Sequence, residues 1–122
     1  MSDEPRMKIV IIESPYSGEV EDNEAYAEAC LFDCLLRGES PFASHLLYTR
    51  VLDDTNPEHR EMGLRAARMF MLRADLTAVY MDHGLSAGMK EGIAHAHANH
   101  RPVEERWLSR YTPTGGSSGV RP

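Results

Sequence analysis

The chain has 122 residues, of which 42% are hydrophobic and 26% are charged, and its formal net charge is −6. Such a length and composition are typical of one globular domain whose core is large enough to fold without disulfides or metal ions. The acidic balance argues against broad binding to nucleic-acid polymers, which requires a basic surface. The polar N-terminus and the lack of an apolar run of about 18 residues predict neither a signal peptide nor a membrane span.

The two cysteines, Cys30 and Cys34, lie four residues apart in a helical pattern. They lack the further ligands that a metal site needs, and a disulfide between them would strain the helix. We therefore expect two reduced thiols in the core of a cytoplasmic protein.

Apolar segments that favour strands alternate along the chain with segments of helical pattern. In chain order we predict a strand at 7–12, a helix at 23–37, a short strand at 41–44, a helix at 57–73, a strand at 76–80, a helix at 87–99 and a strand at 102–107. The first strand, MKIVII, is a continuous apolar run, which suits burial on both faces of a sheet. Residues 45–52 fit either a loop or a turn of helix.

Start and stop signals bound the predicted helices. Asp22 or Asn23 can cap the first helix, and Gly38 can end it. Asn56 precedes Pro57, and proline is favoured at the first position of a helix.

The alternation of strands and helices predicts a parallel sheet with right-handed crossovers. We expect a three-layer, Rossmann-like α/β fold with about four strands in the order 2-1-3-4 and helices on both faces. Residues 1–6 are predicted to form an N-terminal extension and residues 7–110 the domain. Residues 111–122, rich in Gly, Ser, Pro and Thr, are predicted to form a flexible tail.

The loops after the first and third strands, 13–22 and 82–86, form the predicted ligand site. In open α/β sheets, ligands bind beyond the carboxyl ends of the strands, where the strand order reverses. Both loops carry polar residues that a core does not need.

The first loop offers Glu13, Ser14, Tyr16 and Ser17 beside Gly18. Its hydroxyls can hydrogen-bond a ribose or a phosphate, and the tyrosine ring can stack on a base. The same residues are also ordinary turn formers, so a purely structural role is the alternative.

The second loop offers Asp82, His83 and Ser86, with Gly84 and Gly88 allowing close approach to the backbone. Ser86 is the predicted N-cap of the third helix, whose exposed first amides can receive an anion or a ribose. An ordinary cap and turn is again the alternative.

The histidines do not predict a metal site. His83, His95, His97 and His100 lie close together, but the pattern has neither the HExxH spacing nor a supporting carboxylate. A solvated, alanine-rich helix face explains them better. His45 follows the short second strand and is better placed to line a pocket.

The second helix carries regularly spaced arginines and several methionines. We interpret the arginines as a solvated face with intrahelical ion pairs, and the methionines as core or an oligomer contact. These residues are Arg60, Arg65, Arg68 and Arg73, and Met62, Met69 and Met71.

The order of these features resembles the nucleoside 2-deoxyribosyltransferase-like superfamily. The resemblance lies in a tyrosine in the first loop and a third strand followed by Asp, Ser-x-Gly and a helix. The segment AHANHRPV at 96–103 is similar to the superfamily signature Ala-x-Ala-x-Gly-Lys-Pro-Val, with His100 in place of the glycine. Residues 8–106 more closely resemble small proteins common in phages and bacterial mobile elements, through ESPY at 13–16, ASHLLY at 43–48, VLDD at 51–54 and GLSAGM at 84–89.

The resemblance implies a glutamate on the helix after the third strand, which attacks the anomeric carbon of a ribose or deoxyribose and displaces the base. Both superfamily patterns, counted from Ser86 and from Pro102, place that glutamate at position 92, where this chain has Gly92. The neighbouring Glu91 would be turned by about 100° around the helix.

Two main functions follow. The favoured one is a binding protein that kept a nucleoside pocket but lost the glutamate, and holds a nucleotide or an ADP-ribose-type signal of host defence in the host cytoplasm. The other is an active nucleoside 2-deoxyribosyltransferase or N-glycosidase that uses Glu91, with Tyr16 and Asp82 positioning the nucleoside. A structural or partner-binding module is a weaker third.

The resemblance also implies a homo-oligomer, a dimer or higher, and we expect no cofactor. The predicted ligand-binding residues are Glu13, Ser14, Tyr16, Ser17, His45, Asp82, Ser86, Gly88, Met89 and Gly92.

Overall fold

The computed structural model describes residues 6–16 and 20–108, with the side chains of Val20 and His45 left out. The predicted tail and most of the predicted N-terminal extension lie outside this part. The strands are β1 (Ile9–Glu13), β2 (Ser40–Phe42), β3 (Leu76–Tyr80) and β4 (Val103–Arg106). The helices are α1 (Val20–Leu36), α2 (Pro57–Met71) and α3 (Ala87–Ala98), and two short 3₁₀ turns lie at Ser44–Leu46 and Tyr48–Arg50.

The four strands form one parallel sheet in the order β2-β1-β3-β4, as the sequence predicts. β1 is central, with Val10 opposite Leu76 of β3 and Ile9 opposite Ser40 of β2. The strand order reverses beside β1, so the ends of β1 and β3 border the crevice where ligands bind in this architecture.

The two faces of the sheet pack against different helices. Side chains alternate between the faces of a strand, so Val10 and Ile12 face α1 while Ile11 and Glu13 face the other way. The α1 side holds the main apolar core. Its buried members are Val10, Ile12, Tyr26, Ala29, Cys30, Cys34, Ala43, Leu76, Ala78, Tyr80 and Leu108. Both cysteines are free thiols within it.

The first helix begins at Val20, three residues before the predicted start. Asn23 is therefore inside the helix and does not cap it; its amide donates to the carbonyl oxygen of Tyr16 at 3.0 Å. Glu21 and Asp22 lie in the first turn, where negative charge is favoured by the helix dipole. Gly38 has a φ of 80°, the left-handed conformation predicted for the residue that ends this helix.

The predicted start of α2 at Pro57 is confirmed. The side chain of Asn56 accepts from the backbone N–H groups of Glu58 and His59 at 2.9 and 3.3 Å, with Pro57 as the first helical residue. The ambiguous segment 45–52 contains the 3₁₀ turns. Within the described part of the chain, no helix is long and apolar enough to cross a membrane.

Candidate functional site

A cavity of about 390 Å³ lies between α2 and α3 at the carboxyl end of β1. Its size falls in the range of pockets that hold small organic ligands. Residues after β1, from α2 and from the first half of α3 form its walls. They are Glu13, Ser14, Tyr16, Ser44, Asp54, Arg60, Leu64, Ala67, Arg68, Met71, Ser86, Ala87, Gly88, Met89, Glu91, Gly92 and His95.

Glu13 projects from the last position of β1 into this cavity and lies directly over Gly92 of α3. A Cβ atom built on Gly92 would lie 2.7 Å from Oε1 of Glu13 and would overlap its other carboxylate oxygen. Separations this short do not occur between non-bonded atoms, so any side chain at position 92 would displace the carboxylate. The absence of a side chain at Gly92 therefore leaves the space that the Glu13 carboxylate occupies.

The Glu13 carboxyl is mostly withdrawn from water and has no hydrogen-bond partner among the described residues. Burial raises its pKa to about 8, and the positive charge of Arg101 opposes this rise only in part. A carboxyl group whose pKa is shifted this far inside a cleft is typical of functional sites.

Arg101 is buried near Glu13, but its donors are directed elsewhere. Its Nε donates to Oγ1 of Thr77 at 2.8 Å, its Nη1 to the carbonyl oxygen of Met71 at 2.6 Å, and its Nη2 to Nδ1 of His95 at 3.2 Å. Burial, and then the charges of Arg101 and Arg68, lower the pKa of His95, which keeps the imidazole neutral and able to accept this bond. Arg101 therefore provides a fixed positive field without pairing directly with Glu13.

Arg60 and Arg68 line the side of the cavity formed by α2. Both side chains are exposed, as predicted for a solvated face, and they also border the cavity. Arg60 has its nearest acidic partner in Asp54, which precedes the helix, at 3.7 Å. Their spacing of eight residues, with Leu64 midway, puts both on one helix face, and this is the signal that sequence reasoning missed.

The start of α3 forms the opposite wall. The Ser86 hydroxyl accepts from the backbone N–H of Met89 at 3.2 Å, which confirms the predicted N-cap. Gly88 faces the cavity, and a Cβ added there would meet nothing within 4 Å. Ser86, Ala87 and Gly88 at the start of α3 border the cavity, and the helix dipole favours negative charge at this end of the helix.

A family profile described as "Domain of unknown function (DUF7768)" matches residues 8–106, which is most of the chain. The chain belongs to the DUF7768 family. No curated protein matches this DUF7768 chain.

A solved structure with a similar fold is among those that match this DUF7768 protein. It is a 2-deoxyribosyltransferase from the psychrotolerant bacterium Bacillus psychrosaccharolyticus, described as a biocatalyst for the synthesis of nucleosides. The match has a TM-score of 0.61 at 18% identity and covers 81% of this chain and 72% of the other. The predicted resemblance is thereby confirmed at the level of the fold.

Most of the predicted site residues of the DUF7768 chain meet in the cavity. Those that line it are Glu13, Ser14, Tyr16, Ser86, Gly88, Met89, Glu91 and Gly92. Ser17 and the side chain of His45 lie outside the described residues. Glu91 lines the cavity despite its offset from position 92, although its side chain is exposed.

Asp82 does not line this cavity. Its carboxylate accepts from the hydroxyl of Tyr26 at 2.6 Å and from the backbone N–H of Leu108 at 2.9 Å. These bonds tie α1 and the segment after β4 to the end of β3. The sequence predicted that Asp82 lies in the loop after β3, but it did not show that the side chain faces α1 and not the cavity.

The histidines that lie close together in the sequence do not lie together in the structure. The ring of His83 stacks on Tyr26 with a centroid distance of 4.2 Å, whereas His95 lines the cavity beside Arg101. Across residues 6–16 and 20–108, no group of three or more His, Cys, Asp or Glu side chains is arranged to hold a metal ion.

Proposed function

We propose that this DUF7768 protein binds a nucleotide or a closely related nucleoside derivative in the cavity between α2 and α3. The observation that carries the proposal is the cavity itself, which combines hydroxyls, a buried carboxyl and two arginines at the carboxyl end of β1. A fold shared with a 2-deoxyribosyltransferase supports a nucleoside-type ligand.

The walls offer a separate partner for each part of a nucleotide. The hydroxyls of Ser14, Tyr16 and Ser44 can hydrogen-bond a sugar, and the ring of Tyr16 can stack on a base. Leu64 and Met71 supply apolar surface, which small-molecule pockets need for most of their contact area.

A phosphate group would lie between the arginines and the start of α3. Arg60 and Arg68 supply positive charge in a chain whose formal net charge is −6, so the attraction for an anion is local to the cavity. The N-terminus of α3 adds backbone donors and the positive end of a helix dipole.

Calorimetry with a deoxynucleoside, its 5′-monophosphate and ADP-ribose tests the proposal. We expect the Arg60→Ala/Arg68→Ala double variant to bind phosphorylated ligands at least about tenfold more weakly, with a smaller change for the nucleoside. Arg65→Ala is the matched control, because Arg65 is an exposed arginine of the same helix that does not line the cavity. Absence of binding by all three ligands would refute the proposal.

The fate of the ligand separates two versions of this function. In one version, which the resemblance to phage proteins supports, the protein sequesters a nucleotide or ADP-ribose-type signal intact; in the other, it cleaves the bound ligand. Native mass spectrometry of the purified protein tests the first version, which predicts a retained, uncleaved nucleotide. We also propose a cytoplasmic location, which the buried free thiols support.

We further propose a homo-oligomer in which a second copy covers apolar side chains that a monomer leaves in water. Such side chains are concentrated on the outer surface of α1 and around the end of α2. They are Phe32, Leu35, Leu36, Met62, Met69, Phe70 and Leu72. Grouped exposure of this kind is typical of protein contacts. Light scattering should give at least twice the chain mass of 13.7 kDa, and a monomer at micromolar concentration would contradict the proposal.

A further inference from the structure

We infer that Glu13 is the catalytic carboxylate of this cavity and cleaves the bond between the base and the sugar of the bound nucleotide. The inference rests on the proposed nucleotide binding and adds a reaction to it. It assigns the chemistry to the end of β1, and not to Glu91 or to any other residue of α3.

The geometry at Gly92 is the first argument. The carboxylate of Glu13 fills the space in which a side chain at position 92 would begin. Position 92 is where the resemblance of the sequence implies a glutamate, so the cavity has kept a carboxylate there but receives it from the sheet. Gly92 is then the residue that makes this substitution possible, because any larger residue would exclude the Glu13 side chain.

The surroundings of Glu13 are the second argument. A carboxylate acts as a nucleophile only if its oxygen lone pairs can reach the substrate, and hydrogen bonds to structural partners would occupy them. The nearest buried cation, Arg101, has its donors bonded to Thr77, Met71 and His95. The oxygens of Glu13 are left facing the cavity, while Arg101 supplies charge that stabilises the ionised form.

Glu91 lacks these properties. Its side chain is exposed, so water solvates its carboxylate and competes with any substrate. Glu13 lies between the sheet and α3, where a bound sugar would exclude water from it. A strand end in a paired sheet also holds a carboxylate more precisely than an exposed helix position does.

The reaction balances without a cofactor. An oxygen of the ionised Glu13 carboxylate bonds to C1′ of the sugar as the C1′–N bond breaks, and the bond's electron pair leaves with the base nitrogen, which takes a proton from water. A second water then adds to C1′ and gives its proton to the hydroxide left by the first, while the ester C–O bond breaks and the carboxylate is regenerated as the free sugar leaves. The net reaction consumes one water and is hydrolysis of an N-glycoside through a covalent glycosyl-enzyme intermediate.

Chromatography for free base after incubation of the full chain with deoxynucleoside 5′-monophosphates tests the inference. We expect release of base by the parent and a loss of at least about a thousandfold in kcat for Glu13→Gln. The Kd of Glu13→Gln for the substrate should stay within about threefold of the parent, since the amide keeps the shape. Glu28→Gln is the control, because Glu28 is an exposed glutamate on α1, outside the cavity.

The outcomes separate this inference from the function on which it rests. A parent that binds the nucleotide without releasing base would overturn the catalytic role of Glu13 and leave the binding function standing. Loss of activity in Glu91→Gln with retention in Glu13→Gln would also overturn it. Absence of binding would refute the proposed function itself.

Gly92→Ala provides a second variant that keeps the Glu13 carboxyl group. We expect a loss of at least about a hundredfold in kcat, because a displacement of about 1 Å is enough for such an effect. Circular dichroism would show whether the variant is folded. A folded Gly92→Ala protein with the parent's kcat would overturn the assignment.

Discussion

Ionisable groups are withdrawn from water on both faces of the sheet, but their carboxylates are paired on one face and unpaired on the other. On the α1 face, Arg106 bonds to both carboxylate oxygens of Glu39 at 2.8 and 2.7 Å, and the Tyr80 hydroxyl donates to Asp33 at 2.7 Å. We call these four residues the paired cluster. On the other face, the Glu13 carboxyl has no such partner within the described part of the chain.

The pKa values of the two glutamates reflect this difference. Burial alone would raise the pKa of Glu39, but the hydrogen bonds and charge of Arg106 hold it below its ordinary value. Burial raises the pKa of Glu13 to about 8 because Arg101 acts on it only through its field. The paired cluster thus contributes to holding β4 and the segment after α1 together, whereas the unpaired carboxyl costs stability and stays available for a ligand.

The largest effect should come from breaking the paired cluster. Arg106→Met leaves the Glu39 carboxylate without its buried cation and the Tyr80 hydroxyl without the donor Nη1 of Arg106, so we expect the free energy of unfolding to fall by about 3–5 kcal/mol. Urea denaturation at pH 7 measures this, with the exposed Arg65→Ala as control. A loss below about 1 kcal/mol would show that the cluster is not a structural unit.

The dependence of kcat/KM on pH should reflect the raised pKa of the unpaired Glu13 carboxyl. The nucleophile must be ionised, so kcat/KM should rise about tenfold per pH unit below the pKa of Glu13, which is about 8, and level off above it. Between pH 6 and 8 the change is therefore about fiftyfold, because half of the carboxyl groups are still protonated at pH 8. A profile that is flat over this range would contradict the assignment of Glu13 as the nucleophile.

The contribution of Glu13 to the stability of the parent should depend on pH in the opposite sense from that of a paired carboxylate. Because the native pKa of Glu13 lies above its unfolded value, the native state binds the extra proton between about pH 4.5 and 8. The parent therefore loses stability as the pH rises through this window. We expect Glu13→Gln to be more stable than the parent by about 1–3 kcal/mol at pH 9, with little difference at pH 4. Denaturation curves at both pH values test this, and equal stability at pH 9 would contradict it.

The smallest effect concerns the turn before β4. His100 has a φ of 57°, a left-handed conformation that favours glycine, at the position where the superfamily signature has one. His100→Gly should raise the free energy of unfolding by about 0.5–1 kcal/mol. His97→Gly, within α3, is the control and should lower it by about the same amount. A destabilised His100→Gly would show that the imidazole makes a compensating contact.

Local signals were enough to predict the fold. β3 has the predicted bounds, Ser86 and Gly38 perform the predicted capping roles, and α2 begins at Pro57 as predicted, because these signals act on residues within a few positions of themselves. The alternation of elements predicted the parallel sheet, and the expected strand order 2-1-3-4 is the one observed. The start of α1 was missed because Glu21 and Asp22 favour a helical first turn as much as they favour a cap.

The sequence predicted where the site lies better than it predicted what each residue does there. Its loops were identified from topology, but exposed polar residues that border a cavity look like any other exposed polar residues, so the sequence did not show that Arg60 and Arg68 border this one. Arg101 stands at the lysine of the superfamily signature, and nothing in the periodicity shows its burial. The contact of Glu13 with Gly92 joins positions 79 residues apart, and only the packing of α3 on the sheet reveals it.

That contact restricts which residues can occur together at positions 13 and 92 in related chains. A glutamate at 13 in this conformation requires glycine at 92, and a side chain at 92 requires a smaller residue at 13. Substitution at either position alone produces a steric overlap or an empty site, so the two should covary across the DUF7768 family. The coupling can be measured directly: a double-mutant cycle on Glu13→Ala and Gly92→Glu should be non-additive in kcat, with the double variant recovering activity that Glu13→Ala loses.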